Sequence, residues 1–225
     1  KKGTASGRIS STTDPGQRHG RKSKSTSFTG SKASVATDIE SQIIVAADVI
    51  SGDAPDNQDA LDLVKQAEAN TGLTVLEPLG DCAYGDGGTR QTFADAGRTL
   101  IAKVPKDANR HGVFLKSAFN INLDRLQVRC PAGQTTVRYD VDDYGAKIFR
   151  FGSMCLGCLL RRMCTHSVKG RTIRVHPQEN LLQIARAFQR SEAGRIHLRK
   201  RVVAEHSLAR LATLAIDRAR YLGLA

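Results

Sequence analysis

Two carboxylates and four thiols in this chain have types and spacings that chemistry can use. Asp81 lies in "LGDCAYGDGGTR", where an apolar run ends in a carboxylate, a thiol, an aromatic ring and several glycines. The preceding "LTVLEPLGD" reads as a buried strand, although Pro78 removes one ladder donor. Asp81 is therefore expected at a strand's C-terminal end, where open α/β sheets place ligands. Glu205 lies in "RKRVVAEHSLARLATLAIDRARYLGLA". Helical spacing sets Val202, Glu205, Leu208, Leu211 and Ala215 on one seam that should pack on a sheet. A carboxylate there is costly unless something partners it. A metal ion shared with a strand-end carboxylate would do so, and so would an arginine such as Arg201.

Cys130, Cys155, Cys158 and Cys164 are spaced C-x24-C-x2-C-x5-C. Tetrahedral zinc needs four soft ligands converging on one point, and two thiolate-bearing turns can supply them. "RCPAGQ" and "MCLGCLLRRMC" contain the Pro and Gly such turns use, and the surrounding Arg and Lys favour thiolates. Four protein ligands leave no open position, so zinc here would be structural, and its binding would help fold a segment with little core. Free thiols or a redox pair are the other readings, and His166 could replace Cys164 as a ligand. Cys82 has no histidine near it in sequence and reads as a small core residue.

These residues need elements to position them. "SFTGSKASVATD" and "SQIIVAADVISG" read as an antiparallel hairpin. "DNQDALDLVKQAEANTG" reads as an amphipathic helix with Asp56 as N-cap and a stop at Asn70 to Gly72. After the strand that feeds Asp81, Thr89 can cap a short helix ending at Gly97, and "TLIAKVP" reads as another strand. This alternation predicts an α/β layered fold. Regularity breaks down after Pro105, where turns and cysteines recur, and returns with the helix "PQENLLQIARAFQRS" and a final helix near 199–216. The expected organisation is a basic, loosely ordered arm over 1–27, a main domain over 28–105 and 176–225, and a cysteine insert over 106–175.

Composition limits the partners. The 225 residues are 40% hydrophobic, with no Trp and 5% aromatics, which predicts a small or divided core. The formal charge of +12 is unevenly spread: residues 1–32 carry +7, 35–96 carry −10 and 97–225 carry +15. Phosphate backbones suit such basic flanks, because each neutralised phosphate releases counterions. No apolar run is long enough for a membrane span and no secretory signal opens the chain, so it reads as soluble and intracellular. Its start, in mid-pattern and without Met, suggests that sequence precedes it.

Several ordered blocks resemble one family. "DPGQRHGRKSKSTSFTGSKASVATD" resembles DPEARHGRKS followed by FDGYKAHVATD. "VISGDAPD" resembles VTPGNAPD, and "GDCAYGDGGTR" resembles ADSAYGDGETR. "VRCPAGQTT" with "MCLGCLLRRMC" resembles that family's cysteine-bearing insert, and "RARYLGL" its ending. The chain thus resembles the C-terminal part of bacterial insertion-sequence transposases of the DDE type. The resemblance implies a ribonuclease-H-like mixed sheet with flanking helices, missing its central first strand and interrupted by a small zinc-ribbon-like insert.

It implies that Asp81 and Glu205 are the second and third catalytic carboxylates. With an upstream first Asp they would hold two Mg²⁺ or Mn²⁺ ions for cutting DNA and joining a 3′-hydroxyl to it. Arg18, Arg21, Lys22, Lys24, Arg199, Lys200 and Arg201 would grip phosphates, with little sequence readout. His197 occupies a family tyrosine position, and Arg201 falls in its arginine cluster. The partners implied are transposon ends and target DNA, and a second copy of the chain, in a bacterial cytoplasm at the nucleoid. Ser31 and Ser34 replace family Tyr and His, and Pro78 interrupts the strand before Asp81. Such departures point to a truncated or decaying, inactive copy. A non-catalytic, zinc-module DNA-binding protein is the alternative, and another ribonuclease-H-like nuclease a third.

Overall fold

The computed structural model describes residues 9–21, 25–107 and 112–213. Contacts divide the chain into two compact units, 1–103 with 188–225, and 104–187. It is a mixed α/β protein, and the described residues form three small sheets, each of three strands.

In the first unit, β1 (Arg18–Arg21), β2 (Ser27–Thr37) and β3 (Ile44–Ser51) form one antiparallel sheet in that order. The expected hairpin is β2–β3. Its register shifts between Ala36 and Thr37, and its turn places Gln42 at φ 60°. β1 falls inside the segment expected to be a loose arm. It pairs with β2, Gly20 opposite Phe28, and its backbone also passes close to the residue after β3: a Cβ at Gly20 would lie 2.3 Å from the Gly52 carbonyl oxygen. Helix α1 (Ala60–Thr71) covers the sheet with Leu63 and Ala67, turns Ala60 toward Phe93 and Leu100, and is stopped by left-handed Gly72. Asp56 is not its cap. It ion-pairs with Lys32 of β2 at 2.7 Å.

The two strands expected around Asp81 are reduced to a short parallel contact, with Leu79 bridged to Ile101. The N–H groups of Thr99, Ile101 and Gly80 donate to the carbonyls of Leu76, Pro78 and Ile101, each at 2.9 Å. Pro78 cannot donate and Leu73 and Leu76 are exposed, so no longer ladder forms. Leu100, Ile101, Ala102 and Val104 are nevertheless buried. Helix α2 (Gly87–Asp95) is capped by Asp86 rather than Thr89: the Asp86 carboxylate accepts from the N–H groups of Gly88 and Thr89.

The second unit holds β4 (Asn120–Asn122), β5 (Gln127–Arg129) and β6 (Thr135–Thr136), then β7 (Tyr139–Val141) and β8 (Lys147–Arg150). A one-turn helix, α3 (Arg161–Cys164), leads to β9 (Thr172–Val175) and on to helix α4 (Glu179–Arg190). Phe119, Val128, Phe149, Phe151, Ile173 and Val175 form its core together with Cys164. Helix α5 (Glu192–Arg199) and helix α6 (Val202–Thr213) belong to the first unit.

Glu179 is nearly fully buried between Lys116 and Arg186, with the His176 N–H as a further donor. Burial opposes its charge, but these partners outweigh it and hold the carboxyl below its ordinary range. A depressed carboxyl contributes stability that is complete above its unfolded pKa, and that fades as the pH falls through the folded value. Glu179→Gln should therefore destabilise the protein at neutral pH by about 2 kcal/mol, discounted because both cations reach solvent. The difference from the parent should shrink below about pH 4. Urea unfolding across pH checks this.

Candidate functional site

Asp81 caps a single 3-10 turn, Cys82–Tyr84, its carboxylate accepting from the Ala83 N–H at 2.7 Å. Asp81 and Cys82 are both exposed, so Cys82 is not the core residue expected. Tyr84 turns inward onto the cluster of Ala60, Phe93, Leu100 and Ala102. Burial raises its phenol above the ordinary range. The charges of Asp81 and Asp56 add to that rise, and a hydrogen bond with Ser34 opposes it. Ser34 lies on β2, so the Asp81 turn is tied to the sheet through Tyr84.

Three residues that pattern reading passed over hold this turn in place. Arg90, on the buried face of α2 with Gly87 and Phe93, donates to the carbonyls of Gly85, Leu100 and Ala102 at 3.1, 3.0 and 2.5 Å. Asn57 donates to Asp86 and to Thr89, both at 2.7 Å, joining the loop before α1 to the α2 cap. The N–H donors and the Thr89 and Asn57 side chains keep the Asp86 carboxyl below its ordinary range despite partial burial. Gly85 sits against the Lys103 carbonyl oxygen, which a Cβ would approach to 1.8 Å. The available signal for Arg90 was an arginine three residues before Phe93 on a helix face otherwise facing the core.

Glu205 does not lie on a buried seam. Its side chain is 52% exposed and pairs with Arg201 at 2.6 Å, one turn earlier on the helix. Val202 and Leu208 are exposed as well, while Ser207 is buried and donates its hydroxyl to the Val203 carbonyl. Ala215 lies outside the described residues. The seam expectation is thus corrected: α6 packs against β2 with a different face, because two long side chains can satisfy each other in solvent. Both carboxylate-bearing segments touch β2. Yet no three His, Cys, Asp or Glu side chains among the described residues are drawn close enough to clasp an ion. As placed, each carboxylate has a partner of its own, Asp81 the Ala83 N–H and Glu205 the Arg201 guanidinium.

The four cysteines behave differently. Cys130, Cys155, Cys158 and Cys164 all line one small cavity of about 20 Å³, walled by Phe114, Phe151, Met154 and Leu160. Such a space admits one water-sized occupant. The turn at Cys130–Gly133 closes through the Gly133 N–H on the Cys130 carbonyl at 2.9 Å, with Gly133 at φ 84°. The Arg171 N–H points at Cys155 Sγ at 3.5 Å. Burial pushes the Cys164 thiol up, opposed by Arg171. The thiols face the cavity without closing on one point, and His166 is not among the residues lining it.

Among the basic candidates, Arg21, Arg199 and Lys200 are exposed. Arg18 donates to the carbonyls of Pro15 and Gln17, and Arg201 is engaged by Glu205. Lys22 and Lys24 lie outside the described residues. His197 stacks near Phe188, with ring centroids 6.0 Å apart. No helix among the described residues is long and apolar enough to cross a membrane.

Residues 129–225 match the family model described as "Transposase DDE domain". The matched stretch includes Glu205 and all four cysteines of the cavity, while Asp81 lies before it. No curated protein and no solved structure matches the chain.

If Arg90 fixes the Asp81 turn, Arg90→Lys should cost about 2 kcal/mol, since an ammonium cannot span three carbonyls as a guanidinium fork does. The expected loss is roughly 5 °C in melting temperature. Gly85→Ala should fail to give a folded first unit. Calorimetry and amide exchange across residues 79–104 check both.

Proposed function

From the match of residues 129–225 to the transposase DDE domain model, we propose that this chain works in DNA transposition, supplying Asp81 and Glu205 as two of three carboxylates of a strand-cleaving and strand-joining centre. The match over the stretch holding Glu205 and the cysteine cavity is the observation that supports the reading most. The role of Asp81 rests on the resemblance of its "GDCAYGDGGTR" block. The parallel contact of Leu79 with Ile101, just before Asp81, puts that carboxylate at the end of an extended segment, as a ribonuclease-H-like site would need.

The partner is DNA. Arg21, Arg199 and Lys200 are exposed to meet phosphates, and the resemblance adds Arg18, Lys22 and Lys24 of the arm. Arg201 is the exception within its cluster, because it is held by Glu205. Divalent ions serve this class of enzyme by activating the attacking oxygen and stabilising the leaving one. For Glu205 to join such a site it must exchange Arg201 for the ions, and a further carboxylate must come from outside the residues that the resemblance maps here.

In the second unit a structural zinc ion fits the donor set. Cys130, Cys155, Cys158 and Cys164 would hold it, their separate turns already facing one cavity, and the Arg171 N–H would stabilise the Cys155 thiolate. The ion would tie three chain segments together. A non-catalytic DNA-binding protein built on this zinc module is the second reading, favoured by the solvated Arg201–Glu205 pair.

Supercoiled plasmid incubated with Mg²⁺ or Mn²⁺ and this chain alone should remain un-nicked, and nicking that disappears in Asp81→Ala would overturn that expectation. A chain extended upstream through its reading frame should nick and lose the activity in both Asp81→Ala and Glu205→Ala. Activity surviving both changes would eliminate the carboxylate assignment. Elemental analysis should find about one zinc per chain, lost in Cys130→Ser and Cys158→Ser, with a lower melting temperature on chelation. A metal-free, equally stable protein would sink the zinc site.

A further inference from the structure

The cysteine-bearing segment of the second unit holds apolar side chains out in solvent. Leu156, Leu159, Met163 and Val168 are 68, 99, 51 and 85% exposed, although the same unit buries four phenylalanine and valine side chains almost completely. Apolar surface concentrated in this way on a soluble protein marks a contact site.

The support beneath it is firm. The Arg161 guanidinium donates to the carbonyls of Cys155, Ser167 and Val168 at 3.2, 3.3 and 3.4 Å. Arg171 donates to Cys164 and Phe114 at 3.0 and 2.8 Å and lies over the Phe119 ring at 5.3 Å. These bonds hold the loop by its backbone and leave the leucines outside.

Charge indicates what covers them. Residues 144–178 contain seven Lys or Arg and no Asp or Glu; Arg150 and Arg174 pair with Asp140 and Asp142, while Arg162 and Lys169 of the same segment as the leucines are exposed. A second copy seated face to face would bring like charge against like charge. Duplex DNA offers both things the surface lacks: phosphates for the exposed Arg162 and Lys169, and base edges and steps against which Leu and Met side chains can wedge.

We infer that Leu156, Leu159 and Met163, flanked by Arg162 and Lys169, dock in a groove of duplex DNA and press apolar side chains against its bases. This rests on the DNA reading above and adds a contact that neither the resemblance nor the family match assigns. The phosphate contacts supply affinity, and the leucines couple it to a local opening of the base stack.

The test titrates the full chain against a mixed-sequence duplex carrying 2-aminopurine, across a salt series. The triple variant Leu156→Ser, Leu159→Ser, Met163→Ser should bind about tenfold or more weakly. It should lose the rise in 2-aminopurine fluorescence and keep the salt slope. Arg162→Ala with Lys169→Ala should instead lower that slope by about 2. All five side chains are exposed, so melting curves should be unchanged. A triple variant equal to the parent in affinity and fluorescence overturns the wedge and leaves the DNA reading intact. Absence of DNA binding by the parent removes both. A triple variant that loses self-association in sedimentation while keeping its DNA affinity assigns the patch to a second copy and overturns the wedge.

Discussion

The local structure around Asp81 depends on one buried guanidinium. Arg90 reaches from α2 to three carbonyls on two separate segments, Gly85 on the turn and Leu100 and Ala102 on the run beside it. Hydrogen bonds to a charged donor are worth about 1.5–3 kcal/mol each in a dry setting, and leaving the carbonyls bare would cost a similar amount. The parallel contact between Leu79 and Ile101 is too short to hold these segments alone. Arg90 substitutes for the missing ladder, and Gly85 allows the backbone to come close enough for it to do so.

The same device recurs in the second unit. Arg171 and Arg161 bond the carbonyls of loops that no strand covers, close to the cysteine cavity. A chain with no Trp and few aromatics has little apolar mass to clamp such loops. Guanidinium groups satisfy several buried carbonyls at once and bring their own stems as packing surface. This gives the protein's high arginine content a structural use beside the one toward phosphates.

The two candidate centres stand at different stages of assembly. The four cysteines, drawn from three parts of the sequence, already share one cavity. Asp81 and Glu205 sit on segments that both touch β2, but each has its own partner, the Ala83 N–H and Arg201. An exposed ion pair at helical i, i+4 spacing is weak, so exchanging it for a metal would not be costly. The described geometry of the second unit is therefore closer to its inferred metal than that of the first.

Sequence alone determined those features whose cause is local. The β2–β3 hairpin follows from two β-prone runs around a polar turn, and the glycine stop of α1 from the need for a left-handed residue at Gly72. The grouping of the cysteines followed from their spacing, and the DDE resemblance from ordered blocks, which the family match bears out for the stretch 129–225. What only the tertiary structure decided was where long side chains end. Asp56 went to Lys32 and Asp86 took the cap expected of Thr89, while Arg90 turned inward and Glu205 outward to Arg201. Periodicity assigns a residue to a helix face, but a flexible charged side chain is placed by whichever partner lies within its reach, and that partner is set by packing between distant segments.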